Sequence, residues 1–276
     1  MALRLVSMLA LCVLVASCGG GSGPDSSGPS ASTATPTSPS SALNVVALGD
    51  SETAGNGDPS GAGWVERYAR LLRTRLNVDA EVSNLAADGK TSAELLAELR
   101  SDANTREMVK GADIVLLGIG GADLNAGDDA LKAGRCRAEA CYTPVLKAFG
   151  RNFDAIAAEV RKLRGSEKTL LRSITQPNVI PGAEDVIPLP IGLRNEGMRR
   201  IGLYQARTAN RAICRGMTKH GGRCIDVLHA INGPSGKADG YKAGLLNHKD
   251  CCYPNANGQQ LMAELLLKTG LAPVRR

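Results

Sequence analysis

The chain has 276 residues and a formal net charge of +6; 43% of its residues are hydrophobic and 22% are charged. This balance is ordinary for a globular protein and argues against both a wholly disordered chain and a membrane protein with many spans. Lysine and arginine are spread along the chain without a basic block, so we expect no nucleic-acid partner. Only 3% of the residues are aromatic, so the core must be built from Leu, Val, Ile and Ala.

The first 17 residues have the pattern of a secretory signal. Arg4 supplies a positive charge, and the apolar run from Leu5 to Val15 is shorter than the roughly 20 residues that a membrane-spanning helix needs. The sequence Val15-Ala16-Ser17-Cys18 resembles a bacterial lipobox, in which small residues precede a cysteine that becomes lipidated. We therefore predict a lipoprotein signal peptide over residues 1–17 and a lipid on Cys18 that anchors the exported protein to the bacterial cell membrane. The alternative is a plain signal peptide with an incidental cysteine.

A flexible tether is predicted over residues 18–41. Between Gly19 and Ser41 every residue except Asp25 is Gly, Ser, Thr, Pro or Ala. Such a segment buries too little apolar surface to offset the entropy of ordering it. The tether would let a folded domain, residues 42–276, work away from the membrane.

Short apolar runs and helical periodicities alternate after the tether. The predicted strands are Asn44–Leu48, Ala80–Asn84, Ala112–Ile119, Thr169–Ile174 and Cys224–Leu228. The predicted helices are Trp64–Leu76, Ser92–Arg100, Pro144–Leu163, Asn195–Thr218 and Asn257–Thr269. Residues 178–193 are rich in Pro and Gly and predict an irregular loop.

This alternation predicts one α/β domain, a three-layer α/β/α sandwich around a five-stranded parallel sheet of the flavodoxin-like kind. Ligands of such sheets bind at the carboxyl ends of the strands. The loops that begin at Gly49, Asn84, Gly120, Thr175 and Leu228 are therefore the places to look for a site.

Six cysteines lie beyond the tether, and an even number in an exported chain favours disulfides. We predict Cys136–Cys141 and Cys214–Cys224, because each pair would close a short polar loop. Cys251 and Cys252 are then adjacent, either in a vicinal bridge or as free thiols. No CxxC or HExxH motif accompanies them, so no metal site is expected.

Gly49-Asp50-Ser51 follows the first predicted strand, and the chain closes with DCCYPNANGQQLMAELL. Together with the stretch ALGDSETAGNGDPSGAGWVERYARLL, these segments resemble the SGNH, or GDSL, hydrolase family from Val45 to about Leu271. The resemblance implies that Ser51 is the nucleophile that attacks an ester carbonyl. It also implies that the backbone N–H groups of Ser51 and Gly89 bind the oxyanion, and that Asp250 is the catalytic aspartate. No cofactor is implied.

Two family positions are altered. The G-x-N-D block reads Gly120-Gly121-Ala122-Asp123, so Ala122 replaces the oxyanion asparagine. The D-x-x-H block begins at Asp250, and Tyr253 stands where the histidine belongs. A tyrosine hydroxyl, which ordinarily titrates near pH 10, does not accept a proton at neutral pH as imidazole does. Both changes predict weakened or lost chemistry.

Three histidines could replace the missing base: His220, His229 and His248. His220 lies in a polar stretch, and His229 follows the fifth predicted strand, where capping or packing is the commoner role. His248 lies five residues before Tyr253 and is the candidate that we retain.

The function implied by the resemblance is hydrolysis of an acyl or acetyl ester on a small molecule, a lipid or an envelope glycan. The competing hypothesis is a non-catalytic lipoprotein that keeps the cleft to bind an acylated or glycan ligand. A third is a disulfide-stapled structural lipoprotein without a ligand. We expect a monomer in each case.

Overall fold

The computed structural model describes residues 42–165, 168–183, 195–249, 252–272 and 274. The predicted signal peptide (1–17), Cys18, the tether up to residue 41, Asp250 and Cys251 lie outside these residues. Of the irregular loop expected over 178–193, residues 178–183 are described and contain neither helix nor strand.

Five parallel strands form one sheet in the order β2-β1-β3-β4-β5. The strands are β1 (Leu43–Gly49), β2 (Ala80–Asn84), β3 (Ile114–Gly118), β4 (Leu170–Ile174) and β5 (Arg223–Ile225). This strand order is that of flavodoxin-like doubly wound sheets. The predicted five-stranded parallel α/β fold is therefore confirmed.

Helices connect the strands and cover both faces of the sheet. They are α1 (Ser51–Ala54), α2 (Gly63–Leu76), α3 (Ser92–Ser101), α4 (Ala103–Gly111), α5 (Asn125–Lys132), α6 (Thr143–Arg164), α7 (Asn195–Lys219), α8 (Val227–Asn232) and α9 (Ala256–Leu267). Across the described ranges, no helix is both long enough and apolar enough to cross a bilayer.

The central strands are buried on both faces because their apolar residues run without interruption. Val46 and Leu48 of β1 join the core under α3, α6 and α7. Val45 and Ala47, pointing the other way, join the core under α2 and α9. The side chains that helices contribute to these two cores include Leu95, Phe149, Phe153 and Ile213 on one face, and Trp64, Leu72 and Met262 on the other.

Helix caps explain where two elements differ from the sequence prediction. The fifth strand ends at Ile225 rather than Leu228, because the Asp226 side chain accepts a hydrogen bond from the backbone N–H of His229 at 3.1 Å and starts α8. In the same way, the Asp102 side chain accepts from the N–H of Thr105 at 2.7 Å, and a second helix, α4, follows α3 directly.

Both predicted disulfides form. Cys136–Cys141 closes a turn between α5 and α6, and Cys214–Cys224 joins α7 to β5. Cys252 is also disulfide-bonded.

We predict that Gly118→Ala destabilises the protein by about 1–3 kcal/mol, because an added methyl overpacks the junction of β1 and β3. A Cβ at this position would collide with the Thr53 hydroxyl and lie 3.0 Å from Ile174 Cδ1. Gly111→Ala is the matched control, since nothing lies within 4 Å of its Cβ position. Urea unfolding measures both variants, and equal losses in the two would contradict the packing argument.

Candidate active site

The nucleophile candidate Ser51 lies at the point where β1 turns into α1. Gly49 pairs with Gly118 of β3, and a side chain on Gly49 would collide with the Gly118 carbonyl oxygen. The Thr53 hydroxyl closes the same junction by donating a 2.7 Å hydrogen bond to that carbonyl. The first turn of α1 is thereby held directly over the carboxyl end of the sheet.

Asp50 fastens this turn to the loop after β3. Its carboxylate accepts hydrogen bonds from the backbone N–H groups of Gly120 and Gly121, each at 2.9 Å, and of Glu52 at 3.2 Å. The side chain is nearly fully buried, and this burial raises the pKa of Asp50 to about 6 against the opposing effect of the three N–H donors. The N-cap of α1 therefore also positions Gly120 and Gly121, the first two residues of the G-x-N-D block.

Tyr253 occupies the place next to the nucleophile that a catalytic histidine would take. Its hydroxyl donates a hydrogen bond to Ser51 Oγ at 3.2 Å, and both residues are half-buried. A general base would have to accept the serine proton, whereas this phenol points its own proton at the serine oxygen. The contact ties the Ser51 side chain to the loop that carries Tyr253.

The loop that carries Tyr253 is anchored by backbone contacts. Leu246 and Pro254 form an isolated antiparallel bridge, and the N–H of Asn247 donates to the Tyr253 carbonyl at 2.9 Å. Gly57, with φ of +86°, lies beneath the tyrosine, where a Cβ would collide with Tyr253 Cβ. These contacts fix the position of Tyr253 beside Ser51.

Gly89 and Ala122, two further positions of the family resemblance, also lie at the cleft that contains Ser51. Gly89 follows β2 and faces the same cleft as Ser51, and Ala122 begins a 3-10 turn (Ala122–Leu124) after β3. The next residue, Asp123, accepts hydrogen bonds from the N–H and hydroxyl of Ser92 at 2.9 and 2.5 Å. Position 122 is therefore held firmly, but its methyl group cannot donate a hydrogen bond to an oxyanion.

One cleft of about 580 Å³ brings Ser51, Gly89, Ala122 and Tyr253 together. Away from Ser51, its wall is mainly apolar and comes from α5, α7 and the segment after β4. The apolar wall residues include Leu124, Leu131, Val179, Ile180, Met198 and Ile201. A polar end at the serine and an apolar remainder suit an ester with an acyl chain.

None of the three histidines hydrogen-bonds to Ser51 among the described residues. His220 hydrogen-bonds to the Asp154 carboxylate at 3.0 Å, and His229 hydrogen-bonds to the Asp226 carboxylate at 2.7 Å. His248 is exposed, and its ring centroid lies 5.1 Å from that of Tyr241. The roles predicted for His248 and Asp250 stay predictions.

Glu52 is a residue of the site that the sequence reasoning missed. It lines the cleft directly after Ser51, is only 8% exposed, and its Oε1 has no hydrogen-bond partner among the described residues. Burial, and secondarily the charge of Asp50, raise the pKa of Glu52 to about 8. The sequence did contain a signal for Glu52: a charged residue directly after Ser51, in a strand-to-helix turn that the fold is expected to bury.

A serine at the carboxyl end of the first strand of a doubly wound sheet, at a helix N-terminus beside an apolar cleft, defines a serine ester hydrolase domain of the SGNH type. The chain belongs to the GDSL-like lipase/acylhydrolase family, whose model matches residues 47–261.

Two curated proteins and one solved structure illustrate the relationship. The chain is 31% identical over 135 residues to the uncharacterized protein YpmR of Bacillus subtilis (strain 168), a match that covers 48% of this chain and 51% of YpmR. It is 28% identical over 148 residues to the spore germination lipase LipC of Bacillus licheniformis, a match that covers 51% of this chain and 67% of LipC. The fold matches the lipase Lip_vut3 from a goat rumen metagenome with a TM-score of 0.68 and 22% identity, over 84% of this chain and 100% of that chain. The matched region is thus about half the length of YpmR.

The raised pKa of Glu52 predicts a pH-dependent free energy of unfolding. Between the ordinary pKa of 4.5 and about 8, Glu52 holds a proton in the folded protein but not in the unfolded chain. The free energy of unfolding therefore has its full value below pH 4.5 and falls as the pH rises towards 8. We expect Glu52→Gln, which is neutral at every pH, to become progressively more stabilising relative to the parent across that interval. Urea unfolding at a series of pH values measures it.

Glu107→Gln is the control, since that side chain is 78% exposed. Parallel stability curves for the parent and Glu52→Gln would contradict the assignment of a buried, proton-holding carboxyl.

Proposed function

We propose that this protein is a lipid-anchored, cell-envelope ester hydrolase that removes acyl or acetyl groups slowly through Ser51. The observation that carries the proposal is the cleft itself: Ser51 lies at its polar end, Gly89 lies in the same cleft, and apolar side chains of α5, α7 and the segment after β4 line much of the rest. The family membership and the lipase LipC among the relatives support the reaction class.

In the proposed reaction, Ser51 Oγ attacks the ester carbonyl and forms a tetrahedral intermediate. The backbone N–H groups of Ser51 and Gly89 stabilise its oxyanion, and the serine proton passes through water to the leaving oxygen, which departs as the alcohol. Water then hydrolyses the acyl-serine, which releases the carboxylic acid and restores the serine hydroxyl. The rate is low because Tyr253 donates to Ser51 Oγ rather than accepting its proton. A missing oxyanion donor at Ala122 lowers the rate further, by about 10²–10³.

The competing function is a non-catalytic binding protein that uses the same cleft for an acylated or glycan ligand. The Tyr253–Ser51 hydrogen bond favours this reading, since it occupies the serine oxygen that would attack. Such a protein would be stabilised thermally by its ligand but would not turn it over.

Envelope anchoring is supported by residues 1–18 and by the tether composition. The disulfides Cys136–Cys141 and Cys214–Cys224 agree with an oxidising compartment.

The test of catalysis compares the parent with Ser51→Ala, Tyr253→His and Ala122→Asn on p-nitrophenyl butyrate. We expect Ser51→Ala to fall to the buffer rate. Tyr253→His, alone or with Ala122→Asn, should raise kcat/KM by about 10²-fold or more, because it supplies the missing base. His248→Ala is the arm that tests the alternative base: it should match Ser51→Ala only if His248 accepts the serine proton. Equal rates in the parent and Ser51→Ala would remove the enzyme proposal and leave the binding one.

The test of anchoring is metabolic labelling with radioactive palmitate in a bacterial host. Cys18→Ala should abolish the label because it removes the thiol that carries the lipid, whereas Cys12→Ala, inside the predicted signal, should retain it. Undiminished label in Cys18→Ala would contradict the lipoprotein prediction.

A further inference from the structure

Ser51 Oγ has two roles in the proposed ester hydrolysis, on which this inference rests. In the first half of the reaction Oγ attacks the ester, and in the second half it is the leaving atom, because water displaces it from the acyl group. A serine alkoxide is a poor leaving group, so the second half needs an acid that gives Oγ a proton as its bond to the acyl carbon breaks. Such an acid must lie within hydrogen-bond reach of Oγ, about 2.6–3.2 Å.

The Tyr253 phenol meets this requirement. Its hydroxyl donates a hydrogen bond to Ser51 Oγ at 3.2 Å, so its proton already lies between the two oxygens. Within the described ranges, no other side chain hydrogen-bonds to Ser51 Oγ. The direction of the contact does not suit removal of the serine proton during attack. It is the direction that the departure of Oγ requires, because a proton must then arrive at this atom.

A buried amide joins the two segments that carry the phenol and the serine. Gln259 of α9 is fully buried, and its Nε2 donates to the carbonyl oxygens of Asn56 at 3.2 Å and Pro254 at 3.4 Å. The N–H of Asn56 in turn donates to the Ser51 carbonyl at 3.0 Å, and Pro254 directly follows Tyr253. The donor is therefore held in place by the protein before an acyl-serine forms, and a preorganised donor costs no rearrangement during the reaction.

The cleft supplies a route by which the phenol regains its proton. Tyr253 and Ser51 both line the cleft and are half-buried, so a water that enters it can contact the acyl carbon and the phenol oxygen. A phenol is at once an O–H donor and a lone-pair acceptor. It can therefore release its own proton to Oγ and accept another from the attacking water, and neither a phenolate nor a serine alkoxide has to persist.

We propose that Tyr253 is the acid of the second half-reaction and gives its hydroxyl proton to Ser51 Oγ as the acyl group passes to water. The bond from the water oxygen to the acyl carbon forms, and the bond from that carbon to Oγ breaks. The phenol proton goes to Oγ, and a proton of the attacking water goes to the phenol oxygen. The products are the carboxylic acid, the serine hydroxyl and an unchanged phenol. Tyr253 is thus a catalytic residue of deacylation, although it is no base for acylation.

Tyr253→Phe, read on p-nitrophenyl butyrate, tests the proposal because it removes only the hydroxyl. The p-nitrophenolate group leaves without taking a proton, so acylation of Ser51 by this ester does not need the phenol proton. We expect deacylation to slow by about 10²-fold, so that butyryl-Ser51 accumulates and kcat and KM fall together while kcat/KM stays near the parent value. Stopped-flow absorbance detects the accumulation as a burst of p-nitrophenolate, and intact-mass spectrometry after acid quenching detects the butyryl group.

Tyr204→Phe is the matched control. It removes the hydroxyl of another half-buried tyrosine, which hydrogen-bonds to Thr143 at 3.0 Å away from the described cleft lining, and it should show the parent kcat and no burst. Tyr253→His, which places an N–H acid at the same position, should not accumulate butyryl-serine. Unfolding curves establish that each variant is folded. A kcat in Tyr253→Phe at or above the parent value, or a lower kcat/KM without acyl-serine, would overturn the inference, since a phenol that only restrains Ser51 gives those results.

Ser51→Ala separates failure of the acid role from failure of the esterase. If Ser51→Ala abolishes hydrolysis and Tyr253→Phe turns over without accumulating acyl-serine, the acid role fails and the esterase stands. If Ser51→Ala hydrolyses the ester as fast as the parent, the esterase fails, and the acid role fails with it. The double variant Ser51→Ala with Tyr253→Phe should carry no butyryl group, which shows that the group detected in Tyr253→Phe is bound to Ser51.

Discussion

The close approach of two strand ends, β1 at Gly49 and β3 at Gly118, is the constraint on which the whole site depends. No side chain fits between them, and the Thr53 hydroxyl and the Gly118 carbonyl complete the contact at 2.7 Å. The chain must therefore turn sharply after Gly49, which brings Ser51 to the first position of a helix at the edge of the sheet. Asp50 reinforces the turn by binding two backbone N–H groups of the neighbouring loop.

The same scaffold places a tyrosine beside Ser51. The loop that ends in Pro254 is held by a β-bridge and by contact with Gly57, so the residue at 253 is delivered to Ser51 whatever its side chain is. A histidine there would accept the serine proton, whereas the tyrosine donates its own. A single substitution at such a position can change the reaction without changing the fold, because backbone contacts position the residue and its side chain determines the chemistry.

The electrostatics of the site differ from those of the chain as a whole. The protein is formally +6, yet four carboxyl groups, those of Asp50, Glu52, Asp88 and Asp128, line the described cleft with Lys132. Burial raises the pKa of Asp50 and still more that of Glu52, because each would be charged away from water. The charge of Asp123 adds to the shift of Asp50, and the charge of Asp50 adds to that of Glu52. A carboxyl group kept neutral in this way lowers the free energy of unfolding of the protein at high pH. While protonated it can donate a hydrogen bond, whereas a carboxylate can only accept one.

The sequence by itself determined the α/β class, the number of strands and their parallel arrangement, because apolar runs and helical periodicities are local properties of the chain. It also predicted Cys136–Cys141 and Cys214–Cys224, since short separations in sequence restrict the possible pairings. The end of β5 and the separate helix α4 were missed, because Asp226 and Asp102 cap helices there through single side-chain hydrogen bonds.

Only the tertiary structure decided what surrounds Ser51. Tyr253 is 202 residues away in sequence and reaches the serine through long-range packing, and the burial of Glu52 arises only in the folded chain. A glutamate after a serine is unremarkable in a sequence. It becomes a buried acid with a raised pKa only because the folded protein excludes water from its carboxyl group and places the charge of Asp50 nearby.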